Sequence, residues 1–373
     1  MNTCHLTQPA HLPARARYPV IDAHNHLFGN QHLTAEMNQV LEAMGVVRFC
    51  DLTANLDLRL IPGGYEFEPA ELSRFFQGPA RQPAGRFYCF TSATFNRPVS
   101  QPLFTDARAF ADDTVECLRT HVRLGARGLK ILKELGLHYR DDRHRLLRVD
   151  DDRLAPIFQE AGRLGIPVLI HQADPIAFFD PITPENEHVD TLQKYPSWSF
   201  CDTGRFPRFA ELLANRDRLL RNHPDTCFIL PHMASWPENL AYVSRLLDEN
   251  PNVVLDFSAR TDELGRQPYT AREFFIRHQD RILFGTDMPV SADMYQYHFR
   301  FLETYDEYFI PPDYDGTFSR HRWRVCGLGL PDDVLRKVYF ENAARILPGL
   351  IPALPPLPPT TSHRTNNSQG EQT

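Results

Sequence analysis

The segment Asp22-Ala23-His24-Asn25-His26 places two imidazoles two residues apart at the end of a short apolar run. On a β-strand alternate residues share a face, so both rings can aim at one cation. With 16 histidines in 373 residues, an HxH pair arises about 0.7 times by chance, so the motif alone decides nothing. Position adds the information. His171 directly follows Ile-Pro-Val-Leu-Ile, His232 follows Cys-Phe-Ile-Leu-Pro, and Asp287 follows Arg-Ile-Leu-Phe-Gly-Thr. Four apolar runs thus end in a strong metal-ligand type. Imidazole nitrogens with a carboxylate suit a divalent ion that keeps one position open for water, and such a bound water titrates near about 7.

The elements that must position these residues are short. Eight runs read as strands: Tyr18–Asp22, Val46–Leu52, Arg86–Thr91, Ala126–Leu132, Ile166–Ile170, Thr226–Leu230, Asn252–Phe257 and Arg281–Phe284. They are β-branched or aromatic and bounded by Gly, Pro or Asn. Helical patterns lie between them. In Asp106–Leu124 the apolar residues Ala107, Phe110, Ala111, Val115, Leu118 and Val122 recur near the 3.6 period. Asp150–Leu164, Phe206–Asn222, Pro237–Asn250 and Pro268–His278 read the same way, with Pro237 suited to a first helical turn. Eight strands alternating with helices predict an α/β fold, a (β/α)8 TIM barrel, in which strand ends converge on one face. A doubly wound open sheet is the alternative, but no Gly-rich phosphate turn follows a strand. The chain divides into an N-terminal extension, 1–16, a barrel domain, 17–347, and a Pro-rich tail, 348–373, expected to be disordered. A long connection after the fifth strand, Gln172–Arg205, is rich in Pro and aromatics, as lids and binding loops are.

Composition narrows the function classes. A net charge of −7 without a basic block excludes an electrostatic nucleic-acid binder. Seven cysteines, odd in number and without a CxxC pair, argue against a disulfide framework or a thiolate zinc site. The N-terminus has no continuous apolar segment of the secretory type, and no run approaches 18 apolar residues. A cytoplasmic enzyme of a small-molecule substrate is expected, without nucleic acid or membrane partners and with a homodimer as an option.

The segments IDAHNHL, GLKILKELGL, GIPVLIHQADP, FILPHMAS, NVVLDFSAR and RILFGTDMP together resemble the amidohydrolase superfamily. The resemblance is closer to its amidohydrolase-related group, which includes metal-dependent decarboxylases and hydrolases of the aminocarboxymuconate-semialdehyde decarboxylase type. It runs from Tyr18 to Leu347, and FGTDMP is its most specific block. It implies that His24, His26, His171 and Asp287 bind the metal, and that His232 is a second-metal ligand or a catalytic acid/base. Binuclear members carry a carboxylated lysine on the fourth strand. Lys130 and Lys133 are available there, and a mononuclear site with one lysine contacting substrate is favoured.

On this basis Asp287 serves as general base toward metal-activated water, and His232 polarises a carbonyl or stabilises an oxyanion. The cofactor is a divalent metal, zinc first, with manganese or iron as alternatives. The expected activity is hydrolysis of a small-molecule amide, ester or lactone. The alternatives are decarboxylation or hydration of an unsaturated or aromatic carboxylic acid, and a barrel that binds without turnover. For substrate, Arg260 can clamp a carboxylate with its planar fork, unless it pairs internally with Asp256 or Glu263. Asp174 either orients His171 or binds substrate. Phe178, Phe179 and Trp198 can wall a small ring.

Overall fold

A computed structural model describes residues 5–7, 9–27, 33–61, 64–82, 85–312, 323–347 and 349. Apart from Gly349, the expected tail lies outside the described residues.

Each of the eight expected strands is present: β1 Val20–Asn25, β2 Val46–Asp51, β3 Phe87–Cys89, β4 Leu129–Ile131, β5 Val168–Ile170, β6 Phe228–Leu230, β7 Val253–Asp256 and β8 Ile282–Leu283. Neighbours pair in parallel from β1 to β3 and from β4 to β8. A parallel bridge between Thr91 and Leu129 joins β3 to β4. The Ala23 N–H donates to the Phe284 carbonyl at 2.9 Å and the Asp287 N–H to the His24 carbonyl at 2.9 Å, so β8 returns to β1. The result is a closed (β/α)8 barrel, in which each of the eight strands has a neighbour on both sides.

Strand alternation sorts the core into two shells. Ile21, Cys50, Tyr88, Leu169, Ile229, Val254 and Leu283 fill the barrel interior. Their neighbours Val20, Phe49, Val168, Phe228, Val253 and Ile282 pack outward into the helical layer. Leu129 and Ile131 also face outward, which turns Lys130 between them to the inside. At the closing seam Gly285 is required by space, because a Cβ there would lie 2.7 Å from the His24 Cβ.

The helices follow their predicted faces, with shifted starts. Ala107–Leu124 is capped by the Asp106 carboxylate, which accepts from the N–H groups of Arg108 and Ala109. Pro268 opens Pro268–Arg277. Pro237 does not open the next expected helix: Asn239 caps Leu240–Glu249 by accepting from the Tyr242 N–H, a stronger start signal than the proline. Phe209–Asn222 and Ala155–Arg163, the latter after a 3-10 turn, also begin later than expected.

Three features were not anticipated. An antiparallel hairpin, Leu56–Ile61 with Gly64–Pro69, follows β2 and leans over the strand ends. Ala292–Glu303, capped by Ser291, follows β8. The segments Asp332–Arg336, Lys337–Glu341 and Asn342–Ile346 bring Ala343 and Leu347 into the interior cluster. The connection 172–205 is not structureless. It contains Ile176–Phe179, Val189–Lys194 and Pro196–Trp198, with its own apolar cluster of Phe178, Leu192, Phe200 and Phe209. Among the described residues no helix is long and apolar enough to cross a membrane, and the described cysteines are free thiols.

Candidate active site

Strand alternation counted from Ile21 and Ala23, both interior, would send His24 away from the barrel axis. The β1–β2 register shifts between Asp22 and Asn25, the interval that contains His24, so simple alternation does not carry through it. Both rings then converge on Asp287. His26 Nε2 lies 3.4 Å from Asp287 Oδ1, and His24 Nε2 and His232 Nε2 each lie 3.7 Å from Oδ2. Ligand atoms of His24, His26 and Asp287 all fall within 4.8 Å of one another.

The other ring nitrogen of each histidine is held from behind. His24 Nδ1 is 2.8 Å from Asp256 Oδ2, His26 Nδ1 is 2.9 Å from Thr53 Oγ1, and His232 Nδ1 is 2.8 Å from the Ser258 carbonyl. A carbonyl only accepts, so His232 carries its proton on Nδ1 and presents a lone pair at Nε2. The Asp256 carboxylate imposes the same tautomer on His24. Asp256 is itself fixed, its Oδ1 accepting from the Ser258 hydroxyl at 2.6 Å, the Ser258 N–H at 3.0 Å and the His232 N–H at 3.2 Å.

Aiming these side chains strains the backbone. His232, Met233, Ala234 and Ser235 run consecutively in the left-handed region, with φ from 54° to 63°. Ala259 after β7 and Asp287 after β8 join them at 53° and 52°. Such conformations cost non-glycine residues on the order of 1 kcal/mol or more each, and they persist where the surroundings over-determine them.

Burial disfavours the charged form of three of these imidazoles. Burial holds His26 and His232 well below the ordinary histidine range, aided for His26 by Lys130. Burial likewise lowers His171 to about 4. Asp287 is raised, because burial and Asp256 outweigh the attraction of His24, Lys130 and Arg260. Lys130 is lowered to about 8 by burial, partly offset by Asp287 and Asp256.

Above the group lies a cavity of about 190 Å³. Leu58 and Tyr65 of the hairpin, Phe178 and Trp198 of the long loop, and Trp323 line it, together with Lys130, Lys133, Asp174 and Arg260. The Arg260 guanidinium, 7% exposed, donates to the Ala259 carbonyl at 2.7 Å and leaves Nε without a partner. It makes no ion pair with Asp256 or Glu263 among the described residues.

The amidohydrolase family model matches residues 21–349, nearly the whole described chain. The chain belongs to the amidohydrolase family. Solved structures of similar fold include an uncharacterized TIM-barrel protein from Bordetella bronchiseptica, 15% identical, covering 88% of this chain and 98% of that one at a TM-score of 0.51. A putative amidohydrolase from Staphylococcus aureus is 16% identical, covers 88% and 99%, and has a TM-score of 0.50. A 2,6-dihydroxybenzoate decarboxylase is 15% identical, covers 88% and 98%, and also has a TM-score of 0.50. At these identities the likeness is one of fold. No curated protein matches the chain.

The donor set of this amidohydrolase fits a divalent ion. Among the described residues His24 Nε2 and His232 Nε2 are buried without a hydrogen-bond partner, and both are lone pairs aimed at a carboxylate. Such orphaned buried acceptors are costly unless something binds them. His24, His26 and Asp287 form the tight group. His171 stands beside it, its ring centroid 4.5 Å from that of His232 and its Nε2 3.3 Å from Asp174 Oδ1. Asp174 in turn pairs with Lys133, which lies over the Tyr65, Trp198 and Phe200 rings. Lys133 and His171 hold Asp174 below the usual carboxylate range against the opposing effect of burial. Of the two lysines, therefore, Lys133 pairs with Asp174, while Lys130 lies beside His26 and Asp287.

Phe179 does not wall the cavity. It packs on Phe200 of the same loop and on Phe209 at the start of the following helix, each at 5.3 Å. Sequence reasoning did not assign Thr53, Tyr65, His188 or Ser258 to the site, and it treated Asp256 only as a partner for Arg260. The signal for Asp256 was available, since it ends β7 as Asp287 follows β8. The hairpin that brings Tyr65 carries no such mark.

Proposed function

We propose that this amidohydrolase is a metal-dependent decarboxylase of a small aromatic carboxylic acid. The observation that carries the proposal is Arg260: a buried guanidinium without a carboxylate partner among the described residues, in an aromatic-walled cavity above a His/Asp group. Two charge-assisted hydrogen bonds from a planar fork suit a carboxylate. In other proteins a cavity of about 150 Å³ accepts benzene, so this one has room for a substituted ring. The decarboxylase activity of one structural neighbour of the same fold is compatible with this reading.

His24, His26 and Asp287 would hold the ion, with His171 and His232 alongside; zinc suits two nitrogens and a carboxylate, and the set also accepts manganese or iron. When bound, a divalent ion supplies Lewis acidity toward a substrate oxygen. Arg260 holds the substrate carboxylate, and Phe178, Trp198 and Trp323 keep water from the ring. Asp287 delivers a proton to the ring carbon that bears the carboxylate. The bond to the carboxylate then breaks, its electron pair restores the ring, CO₂ leaves, and Asp287 recovers a proton from water. His232, a lone pair at Nε2, serves as acceptor rather than acid. Lys130 places a further positive charge beside the substrate anion.

Hydrolysis of an amide, ester or lactone is the second reading, favoured by family membership. There Asp287 would accept a proton from water instead. The two part in a single assay of protein loaded separately with zinc, manganese and iron(II). Ring-hydroxylated benzoates are expected to release CO₂ with the matching arene. Turnover of amides, esters or lactones with no CO₂ from any acid would overturn the decarboxylase reading.

A further inference from the structure

The cavity is not uniform in charge. Its lining carries Lys130, Lys133 and Arg260 beside Asp174, Asp262 and Asp287, and Glu263 and His188 meet there where two loops join. Glu263 lies on the short helix Thr261–Gly265 after β7 and is 3% exposed. His188 comes from the long loop after β5. Its Nε2 is 3.6 Å from Glu263 Oε1, just beyond hydrogen-bond reach.

Among the described residues both Glu263 Oε2 and His188 Nε2 are buried without a hydrogen-bond partner. A buried carboxylate oxygen left this way is costly, and native proteins keep such groups where a ligand satisfies them. Among the described residues Arg260 makes no ion pair with it, although its charge lowers the Glu263 carboxyl against the opposing effect of burial.

The contact between the two loops is built rather than incidental. The His188 ring is held edge-on by Phe178 at 5.4 Å and Trp323 at 5.1 Å. One residue earlier, Glu187 pairs with Arg266 at 2.8 Å, and the Arg266 guanidinium lies 4.3 Å from the Trp323 centroid. Two neighbouring residues of one loop thus engage the helix of the other twice, which fixes where the Glu263 carboxylate points.

We propose that Glu263, with His188, is a specificity site that selects aromatic acids bearing a hydrogen-bond donor, an amino or hydroxyl group, away from the carboxylate. The inference rests on the decarboxylase reading for the carboxylate end and adds the second point of attachment. A donor N–H or O–H would reach the open Glu263 oxygen while Arg260 holds the carboxylate. A methyl group in its place would leave that oxygen desolvated and unmet. Sites built to hydrogen-bond a polar group reject the apolar isostere strongly for this reason.

The test is calorimetric titration of metal-loaded protein with matched pairs, amino- and methyl-substituted 2-hydroxybenzoates at ring positions 3, 4 and 5. At one position the amino compound is expected to bind about tenfold or more tightly than its methyl partner. Glu263→Gln, which keeps the shape and removes the charge, is expected to collapse that preference. Should this variant fail to fold by circular dichroism, Glu263→Asp, which withdraws the carboxylate by one methylene, is read in the same way. Equal binding of every pair by the wild type overturns the inference, as does an undiminished preference in a folded variant. A binding preference without CO₂ release would remove the proposed reaction and leave the specificity site standing. CO₂ release without preference would do the reverse.

Discussion

Asp256→Asn is the substitution that separates a positioned metal site from a chance gathering of histidines. Asp256 touches no position where the ion would sit. Its Oδ2 receives the His24 Nδ1 proton at 2.8 Å, and its Oδ1 accepts from Ser258 twice and from the His232 N–H. Asparagine offers one acceptor and one donor. Three donors converge on the Oδ1 side, so the carbonyl must stay there and the NH₂ must face His24. Two donors then oppose each other unless His24 moves its proton to Nε2, and that proton would cover the lone pair aimed at Asp287. Loss of such an outer partner lowers metal affinity about 10- to 100-fold, or roughly 1.4–2.7 kcal/mol. Competition against a chromophoric chelator measures it directly, and thermal melting of the two metal-free proteins isolates any loss of stability. Ser258→Ala removes one of the four hydrogen bonds and should fall between wild type and Asp256→Asn. An unchanged metal dissociation constant in a folded Asp256→Asn protein would refute the tautomer assignment.

Asp287→Asn should lower kcat by about 10²–10⁴-fold, the usual contribution of a positioned proton carrier, measured as CO₂ release from the best acid of the panel. Arg260→Met should raise KM about tenfold or more, in line with loss of a charge-assisted carboxylate contact, while an acid amide in place of the acid should be insensitive to the change. Glu238 supplies a pH test. Burial, with Glu263 adding to it, raises its carboxyl to about 7, and among the described residues neither of its oxygens has a hydrogen-bond partner. The unfolded chain releases this proton near its ordinary value of 4.5, whereas the folded one retains it to about 7. The native state therefore binds more protons in that window, and stability falls as pH rises through it. Glu238→Gln should raise the melting temperature at pH 8 and do so less at pH 5; an equal gain at both would contradict the assignment.

Much of the fold was legible because a parallel barrel strand is buried on both faces and writes a short apolar run into the sequence. All eight such runs became strands, and the polar residue ending four of them reached the site. Lys130 could be oriented from Leu129 and Ile131 by alternation alone. Other features depended on context. The phase of His24 was set by a register irregularity with β2, which local sequence does not display. Asn239 overrode Pro237 as a helix start because its side chain accepts a backbone N–H. The Leu56–Pro69 hairpin lacks a buried run, since it covers the barrel rather than belonging to it. The pairing of Asp174 with Lys133, and the absence of any for Arg260, followed from loop geometry that no spacing rule supplies.

The seam where β8 meets β1 has a consequence for how the protein is made. Its hydrogen bonds join residues as far apart as Asp22 and Thr286, separated by 264 positions. The histidine pair is synthesised near the start of the chain and its carboxylate near the end. A nascent chain holding β1 to β7 carries every imidazole of the site but no Asp287. Loops of that length close late in folding. Tight metal uptake is therefore a certificate of completed closure: a ribosome-bound chain stopped before Asp287 should take up metal weakly, and one extended past the seam should retain it.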